Sequence, residues 1–164
     1  MRPKAAVPEG AEAGYPIVLV DAGPLIALCN AADPDHTPCR KALGELTPPL
    51  LTTWTAFGEA MHLLGSASER LFGRPGKWKA QSALWRLIDS GALEIAEPTV
   101  HSLKRIRELM EKYRDTPMDL ADASLVALAE DQRLDTIFTL DSDFEVYRLG
   151  GNRRFNLLPD LDGP

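Results

Sequence analysis

Acidic side chains follow two apolar runs of the sequence at the point where each run ends. Asp21 comes directly after IVLV, and Asp141 comes directly after IFTL, with Asp143 two residues later. Short apolar runs of this kind are typical of buried strands in a parallel sheet. Because such sheets bind ligands beyond the carboxyl ends of their strands, we expect these three carboxylates to lie along one edge.

Three further acids are predicted to approach the same edge. Asp119 and Asp122 head the apolar run DLADASLVALAE, which leads into the strand before Asp141, and Glu59 lies in the helix after the strand LLTT. Carboxylates that crowd together repel one another and raise one another's pKa values, and a hard cation such as Mg²⁺ or Mn²⁺ relieves this repulsion. Such ions activate water and stabilise phosphodiester oxygens, so the pattern is typical of a metal-dependent nuclease.

Five of these acids also have a structural interpretation that the sequence alone leaves open. Asp119 can be a helix N-cap with Asp122 in the first turn, where the helix dipole favours negative charge. Asp21 can cap the helix that follows it, and Asp141 with Asp143 can form an Asx-turn after the strand. The joint placement of these acids favours the metal-site hypothesis over the separate explanations.

The remaining pattern predicts the elements that position these acids. Short apolar strands alternate with helical periodicity, which indicates an α/β domain with three α/β/α layers and a short parallel sheet of about four to five strands. The predicted strands are residues 17–20, 50–53, 92–97, 136–140 and 154–159. The predicted helices are residues 25–31, 39–46, 55–65, 78–90, 100–114 and 121–132, with one or two helical turns at 144–149, and residues 66–77 are predicted to be a turn-rich basic connection.

Composition indicates one globular domain. The chain has 164 residues with a hydrophobic fraction of 45%, and we expect a single domain over residues 16–160 after a flexible leader of residues 1–15. No apolar run approaches the roughly 20 residues of a membrane span, and the N-terminus lacks the apolar stretch of a secretory signal. Cys29 and Cys39 are interpreted as reduced thiols, so we expect a cytoplasmic protein without a membrane partner.

The net charge of −6 does not by itself exclude a nucleic-acid partner. A uniformly acidic surface would repel phosphate, but acids gathered in one metal site leave room for basic patches elsewhere. The densest basic stretch surrounds Trp78, and it contains Arg70, Arg74, Lys77 and Lys79. It is either a solvated loop or a contact for the RNA backbone, with Arg74 and Lys77 as the candidates.

Four stretches of the sequence resemble, in order and spacing, the acidic motifs of the PIN domain family. They are IVLVDAGPLIAL, FGEAMHLL, DLADASLVALAE and IFTLDSDF, and the resemblance covers about residues 16–160. It implies a PIN domain over that range and a Mg²⁺- or Mn²⁺-dependent endoribonuclease that hydrolyses RNA phosphodiester bonds. Small bacterial members are often VapC-type toxins of VapBC toxin–antitoxin pairs, so the resemblance also implies an RNA substrate, a possible cognate antitoxin and a homodimer.

The same resemblance implies a role for each matching residue. The metal ligands would be the aspartates of the first, third and fourth motifs, assisted by their acidic neighbours: Asp21, Asp122 and Asp141, with Asp143 and Asp119. Glu59 would face metal-bound water, and the Thr139 hydroxyl would bond near the first aspartate. The sequence departs from the family where Ala22 and Gly23 stand, because a hydroxyl residue often follows the first aspartate.

One alternative function stays open at this stage. A PIN-like module could bind RNA or protein with little or no catalysis, although the complete set of acids argues against this. The apolar residues around the basic stretch have two interpretations, as core or as a surface for a second copy or an antitoxin: Leu63, Leu64, Leu71, Phe72 and Trp85.

Overall fold

Five parallel strands form the sheet at the centre of the computed structural model, which describes residues 17–46 and 49–159. The strands lie in the order β3-β2-β1-β4-β5, and every neighbouring pair is parallel. Their bounds are Leu19–Val20 (β1), Leu50–Thr53 (β2), Leu93–Ala96 (β3), Thr136–Phe138 (β4) and Asn156–Leu158 (β5). The predicted parallel α/β class is confirmed, whereas the leader lies outside the described residues.

Helices cover both faces of this sheet. They are Ala22–Cys29 (α1), His36–Glu45 (α2), Trp54–Asp89 (α3), Val100–Lys112 (α4) and Leu120–Gln132 (α5), followed by short 3-10 helices at Ser142–Glu145 and Gly150–Asn152. Successive strand residues point to opposite faces. Leu19 and Ile137 therefore pack in the layer of α4 and α5, while Val20 and Phe138 pack in the layer of α1, α2 and α3.

Helix α3 departs from the predicted connection at residues 66–77. Those residues are helical on both sides of a break at Gly73, where φ is 68°. Glycine tolerates this left-handed conformation, and Pro75 suits the first turn of the helical segment that follows. The prediction of a helix end at Gly65 and a turn-rich connection is therefore wrong, because glycine and proline mark one sharp turn and not a whole loop.

The two halves of α3 fold back on each other as a helical hairpin. Gln81 Nε2 donates to the Met61 carbonyl at 3.1 Å, and the Phe57 and Trp85 rings lie 5.2 Å apart. In a straight helix, residues 61 and 81 would be roughly 30 Å apart. Gly76 permits the close approach at the tip, since a Cβ there would collide with Phe72 Cβ.

The apolar residues of this hairpin divide between the two earlier interpretations. Leu64 is buried in the core, whereas Leu71 and Phe72 at the tip are 74% and 72% exposed. Leu63 and Trp85 are partly exposed, at 46% and 38%. The hairpin therefore contributes both a core face and an apolar tip.

The order of the strands creates a switch point beside β1. The chain moves outward from β1 through β2 to β3, and then returns to β4 on the other side of β1. In open parallel sheets the crevice at such a reversal is the usual ligand site. Among the residues that the structure describes, no helix is long and apolar enough to cross a membrane.

Candidate metal centre at the switch point

Asp21 and Asp141 follow the two neighbouring strands that flank the switch point, β1 and β4. The backbone N–H of Asp141 donates to the Thr139 hydroxyl at 3.0 Å, and that hydroxyl donates to Asp21 Oδ2 at 2.9 Å. This is the contact that the resemblance implies for Thr139. It joins the two segments that carry these carboxylates.

The first turn of α5 holds Asp119 and Asp122 in a reciprocal capping box. Asp119 Oδ1 accepts from the backbone N–H of Asp122 at 2.9 Å, and Asp122 Oδ2 accepts from the backbone N–H of Asp119 at 3.3 Å. Asp122 Oδ2 also accepts from the hydroxyl of Tyr147 at 3.1 Å. The N-cap interpretation of Asp119 is therefore confirmed, and the same bonds orient the buried Asp122.

The other two structural interpretations also hold. Asp21 Oδ1 accepts from the backbone N–H of Ala22 at 2.7 Å and caps α1. Asp141 Oδ1 accepts from the backbone N–H of Asp143 at 2.8 Å, which is the predicted Asx-turn. These bonds orient the carboxylates at the sheet edge, so the structural role and the proposed site are compatible.

Glu59 reaches the site from the second turn of α3. The Thr53 hydroxyl caps this helix by accepting from the backbone N–H of Ala56 at 3.2 Å. The same hydroxyl lies 2.7 Å from the hydroxyl of Ser124 in α5. The start of α3 is thereby hydrogen-bonded to α5. The half-buried Glu59 on α3 is therefore held in a fixed position relative to Asp122 on α5.

The acids share one electrostatic environment. Burial raises the pKa of Asp21, and the charges of Asp141 and Asp119 raise it further against two hydrogen bonds. The pKa of Glu59 is raised by burial first and then by those same three acids. Burial and then the charge of Asp119 raise the pKa of Asp122 to about 7. The charge of Asp119 therefore acts on Asp21, Glu59 and Asp122, and the charge of Asp141 acts on the first two.

This donor chemistry fits a hydrated divalent cation. Carboxylate oxygens are hard ligands, and Mg²⁺ is usually held by one or two carboxylates while it keeps several waters. Within residues 17–46 and 49–159, no three His, Cys, Asp or Glu side chains lie close enough to enclose an ion. A divalent cation held by some of these carboxylates would reduce the repulsion among them.

Asp143 lies at the margin of this group. The backbone N–H of Asp143 donates to Asp141 Oδ1. The pKa of Tyr147 is raised by burial first, then by Asp122, and to a smaller extent by the charge of Asp143. Its charge is not among the main influences on the pKa of Asp21, Glu59 or Asp122. Asp143 therefore borders the shared environment of the other five acids.

The basic candidates lie away from the acids. Arg74 and Lys77 stand at the tip of the α3 hairpin, and Gly73 is separated from Glu59 by roughly 20 Å of helix. Lys77 Nζ lies 2.7 Å from Glu69 Oε2, which neutralises part of its charge, whereas Arg74 is exposed. An RNA contact here would be remote from the acidic group along α3.

Two polar contacts of the site were not predicted. Tyr147 is fully buried and bonds to Asp122, and Ser124 is buried among the hydroxyls of Thr53 and Thr55. An aromatic residue in a segment without clear periodicity resembles an ordinary core residue. Ser124 lies between the apolar residues Ala123 and Leu125 of α5, and that contrast was the one available signal.

The family of the chain follows from comparison with known proteins. A family model described as the PIN domain matches residues 18–149, which is most of the chain and includes every acid discussed above. The chain belongs to the PIN domain family. The acidic residues of the motifs IVLVDAGPLIAL, FGEAMHLL, DLADASLVALAE and IFTLDSDF all lie within the matched residues.

Individual relatives agree with this membership. Ribonuclease VapC26 of Mycobacterium tuberculosis (strain ATCC 25618 / H37Rv) is 29% identical over 143 residues, which cover 87% of this chain and 100% of that protein. The crystal structure of M. tuberculosis VapC20, a Sarcin-Ricin loop cleaving toxin, has a TM-score of 0.67 at 20% identity, covering 79% of this chain and 93% of that one. A toxin–antitoxin complex from Klebsiella pneumoniae has a TM-score of 0.52 at 20% identity, with coverages of 77% and 89%. These two structures share the fold of this PIN domain.

Proposed function

We propose that this PIN domain is a Mg²⁺- or Mn²⁺-dependent endoribonuclease and the toxin of a VapBC-like toxin–antitoxin system. The observation that carries the proposal is the group of five carboxyls at the switch point of the sheet, three of which have pKa values raised by burial and by the charges of their acidic neighbours. The likeness to Ribonuclease VapC26 over its full length supports the same reaction and substrate class.

The residues divide into metal ligands and a group that acts on water. Asp21, Asp122 and Asp141 would hold the ion directly, and their neighbours Asp119 and Asp143 would contribute through water or through charge. A bound divalent cation would lower the pKa of a coordinated water and stabilise developing charge on phosphate oxygens. Glu59 has a raised pKa and is half-buried, which suits it to orient the attacking water and accept its proton.

The partners follow from the same assignment. The substrate would be RNA, and a cognate antitoxin would block the site, in keeping with the toxin–antitoxin complex that shares the fold. We further propose a homodimer and a cytoplasmic location, with the PIN domain extending over residues 16–160. The exposed apolar tip at Leu71 and Phe72 is one surface available to a protein partner.

Cleavage of structured RNA by the purified chain tests this function. We expect cleavage with Mg²⁺ or Mn²⁺, no cleavage with EDTA, and a loss of at least about 100-fold in Asp21→Asn, because a carboxylate that holds the ion is removed. The matched control is Asp115→Asn, since the Asp115 side chain is 93% exposed and lies outside the acidic group.

Two results would overturn the assignment. Full activity in Asp21→Asn would show that cleavage does not depend on the acidic group. RNA binding by wild-type protein without cleavage at any metal concentration would favour the alternative of a binding module.

A further inference from the structure

We propose that Tyr147 is a positioning residue that holds the Asp122 carboxylate by one oxygen and leaves the other for the metal ion. The inference rests on the proposed function, since it assigns Asp122 as a ligand. It adds a residue outside the four acidic motifs of the PIN domain.

The hydrogen bonds of Asp122 are divided unequally between its two oxygens. The Tyr147 hydroxyl and the backbone N–H of Asp119 both donate to Oδ2, at 3.1 and 3.3 Å. Among the described residues, no group donates a hydrogen bond to Oδ1. The carboxylate is therefore oriented from one side, and Oδ1 is the oxygen free to face a cation.

The Tyr147 ring is held firmly enough to orient another group. It is fully buried, and it makes edge-to-face contacts with Tyr113 and Phe144, each at 5.2 Å between ring centroids. Phe144 contacts Phe155 in the same way at 5.6 Å. Aromatic packing of this kind leaves the ring little freedom, so its hydroxyl has a fixed position.

The backbone that carries Tyr147 is also restrained. The two hydrogens of Arg148 Nη1 are shared among the carbonyls of Glu145, Val146 and Tyr147, which lie 2.6, 2.9 and 2.8 Å from the nitrogen. These bonds close the segment after β4 on itself. Tyr147 thus links that segment, which begins at Asp141, to the Asp122 carboxylate on α5.

A hydroxyl is the suitable donor for this position. Asp122 is buried beside Asp119 and Asp21, so its carboxylate needs a partner, but an arginine or lysine would neutralise the charge that attracts the metal. The neutral Tyr147 hydroxyl orients the carboxylate and leaves its negative charge in place.

Direct measurement of metal binding tests the role. Mn²⁺ binding to the full chain, without RNA, would be followed by calorimetry and by the electron paramagnetic resonance spectrum of free Mn²⁺. We expect Tyr147→Phe to weaken Mn²⁺ binding about 10- to 100-fold, the usual effect of removing a group that orients a metal ligand. At saturating Mn²⁺, RNA cleavage should recover to within about threefold of wild type, because the ligands themselves remain.

The matched control is Tyr113→Phe. It removes a hydroxyl from the neighbouring ring, where that hydroxyl accepts from the backbone N–H of Arg148 at 3.0 Å and does not touch Asp122. Mn²⁺ binding should stay within about twofold of wild type even if the melting temperature falls. In an Asp122→Asn background, Tyr147→Phe should cause no further loss, because its effect passes through Asp122.

Three outcomes would overturn the inference. Unchanged Mn²⁺ binding in Tyr147→Phe would refute the positioning role and leave the nuclease assignment standing. An equal loss of Mn²⁺ binding in Tyr113→Phe would show that the effect of Tyr147→Phe comes from general packing. If wild-type protein itself binds no Mn²⁺, both the inference and the proposed metal-dependent function fail together.

Discussion

Asp122 combines a structural contact with a strongly altered acidity. Its pKa is raised by burial first and then by Asp119, from the ordinary 3.8 to about 7. Between those pH values the folded, metal-free chain keeps a proton that the unfolded chain releases. The contribution of Asp122 to the free energy of unfolding therefore falls as pH rises, from its full value below about pH 4 to its lowest value above about pH 7.

A neutral side chain in place of Asp122 should remove this fall in the free energy of unfolding at high pH. We expect Asp122→Asn to be more stable than wild type at about pH 8 in EDTA, by up to about 4 kcal/mol, and nearly equal to it at about pH 4. Urea denaturation of both proteins across this range provides the measurement. Asp115→Asn serves as the exposed control, and parallel curves for wild type and Asp122→Asn would contradict the raised acidity.

The residues of the site differ in how far the sequence could predict them. Asp21 and Asp141 were predictable because each ends an apolar run, and the ends of parallel strands share an edge. Tyr147 was not, since its contact with Asp122 spans 25 residues and depends on how the segment after β4 packs. Whether each acid touches a metal ion stays a prediction.

The shape of helix α3 could be predicted from the sequence only in part. The sequence GRPG correctly marks a break at Gly73, but local signals do not reveal that both flanks are helical and pack on each other. That outcome depends on tertiary contacts between residues about 20 apart, such as Met61 and Gln81. The sheet was easier to predict, because short apolar strands between helices permit few other arrangements.

The tip of the α3 hairpin carries the predicted RNA contact. In the inactive Asp21→Asn background, we expect Arg74→Glu to weaken RNA binding on the order of tenfold and to reduce its salt dependence. Lys77→Glu should have a smaller effect, because Lys77 already pairs with Glu69 at 2.7 Å. Binding would be measured by fluorescence anisotropy over a range of salt concentrations.

A charge reversal on the opposite face of the sheet provides the comparison. Lys104 lies on α4, and its side chain is 79% exposed. Lys104→Glu should leave RNA affinity within about twofold of the Asp21→Asn parent. An equal effect of Arg74→Glu and Lys104→Glu would assign the change to net charge and remove the hairpin tip as an RNA contact.

At the scale of the whole molecule, the acidic group is a local source of instability that a ligand can relieve. The chain carries a net charge of −6, and five carboxyls are gathered at one edge of its sheet. A cation that binds only the folded chain should stabilise it by roughly 2.7 kcal/mol at a concentration 100 times its dissociation constant. We expect Mn²⁺ to raise the melting temperature of wild-type protein at about pH 8.

The control for this stabilisation is a chain that lacks one ligand. Asp122→Asn should show a smaller increase in melting temperature at the same Mn²⁺ concentration, and EDTA should reverse the increase in wild type. An equal increase in both proteins would place the stabilising ion away from Asp122.

Because of the capping box between Asp119 and Asp122, the first turn of α5 and one side of the site should open and close together. Each carboxylate protects the other residue's backbone amide, so neither acid can leave its position while the first turn stays closed. Helix ends are ordinarily among the segments that open most often in a native protein. In this chain, fraying of α5 would disperse the acid pair, and slow hydrogen exchange at these two amides is therefore the signature of an assembled site.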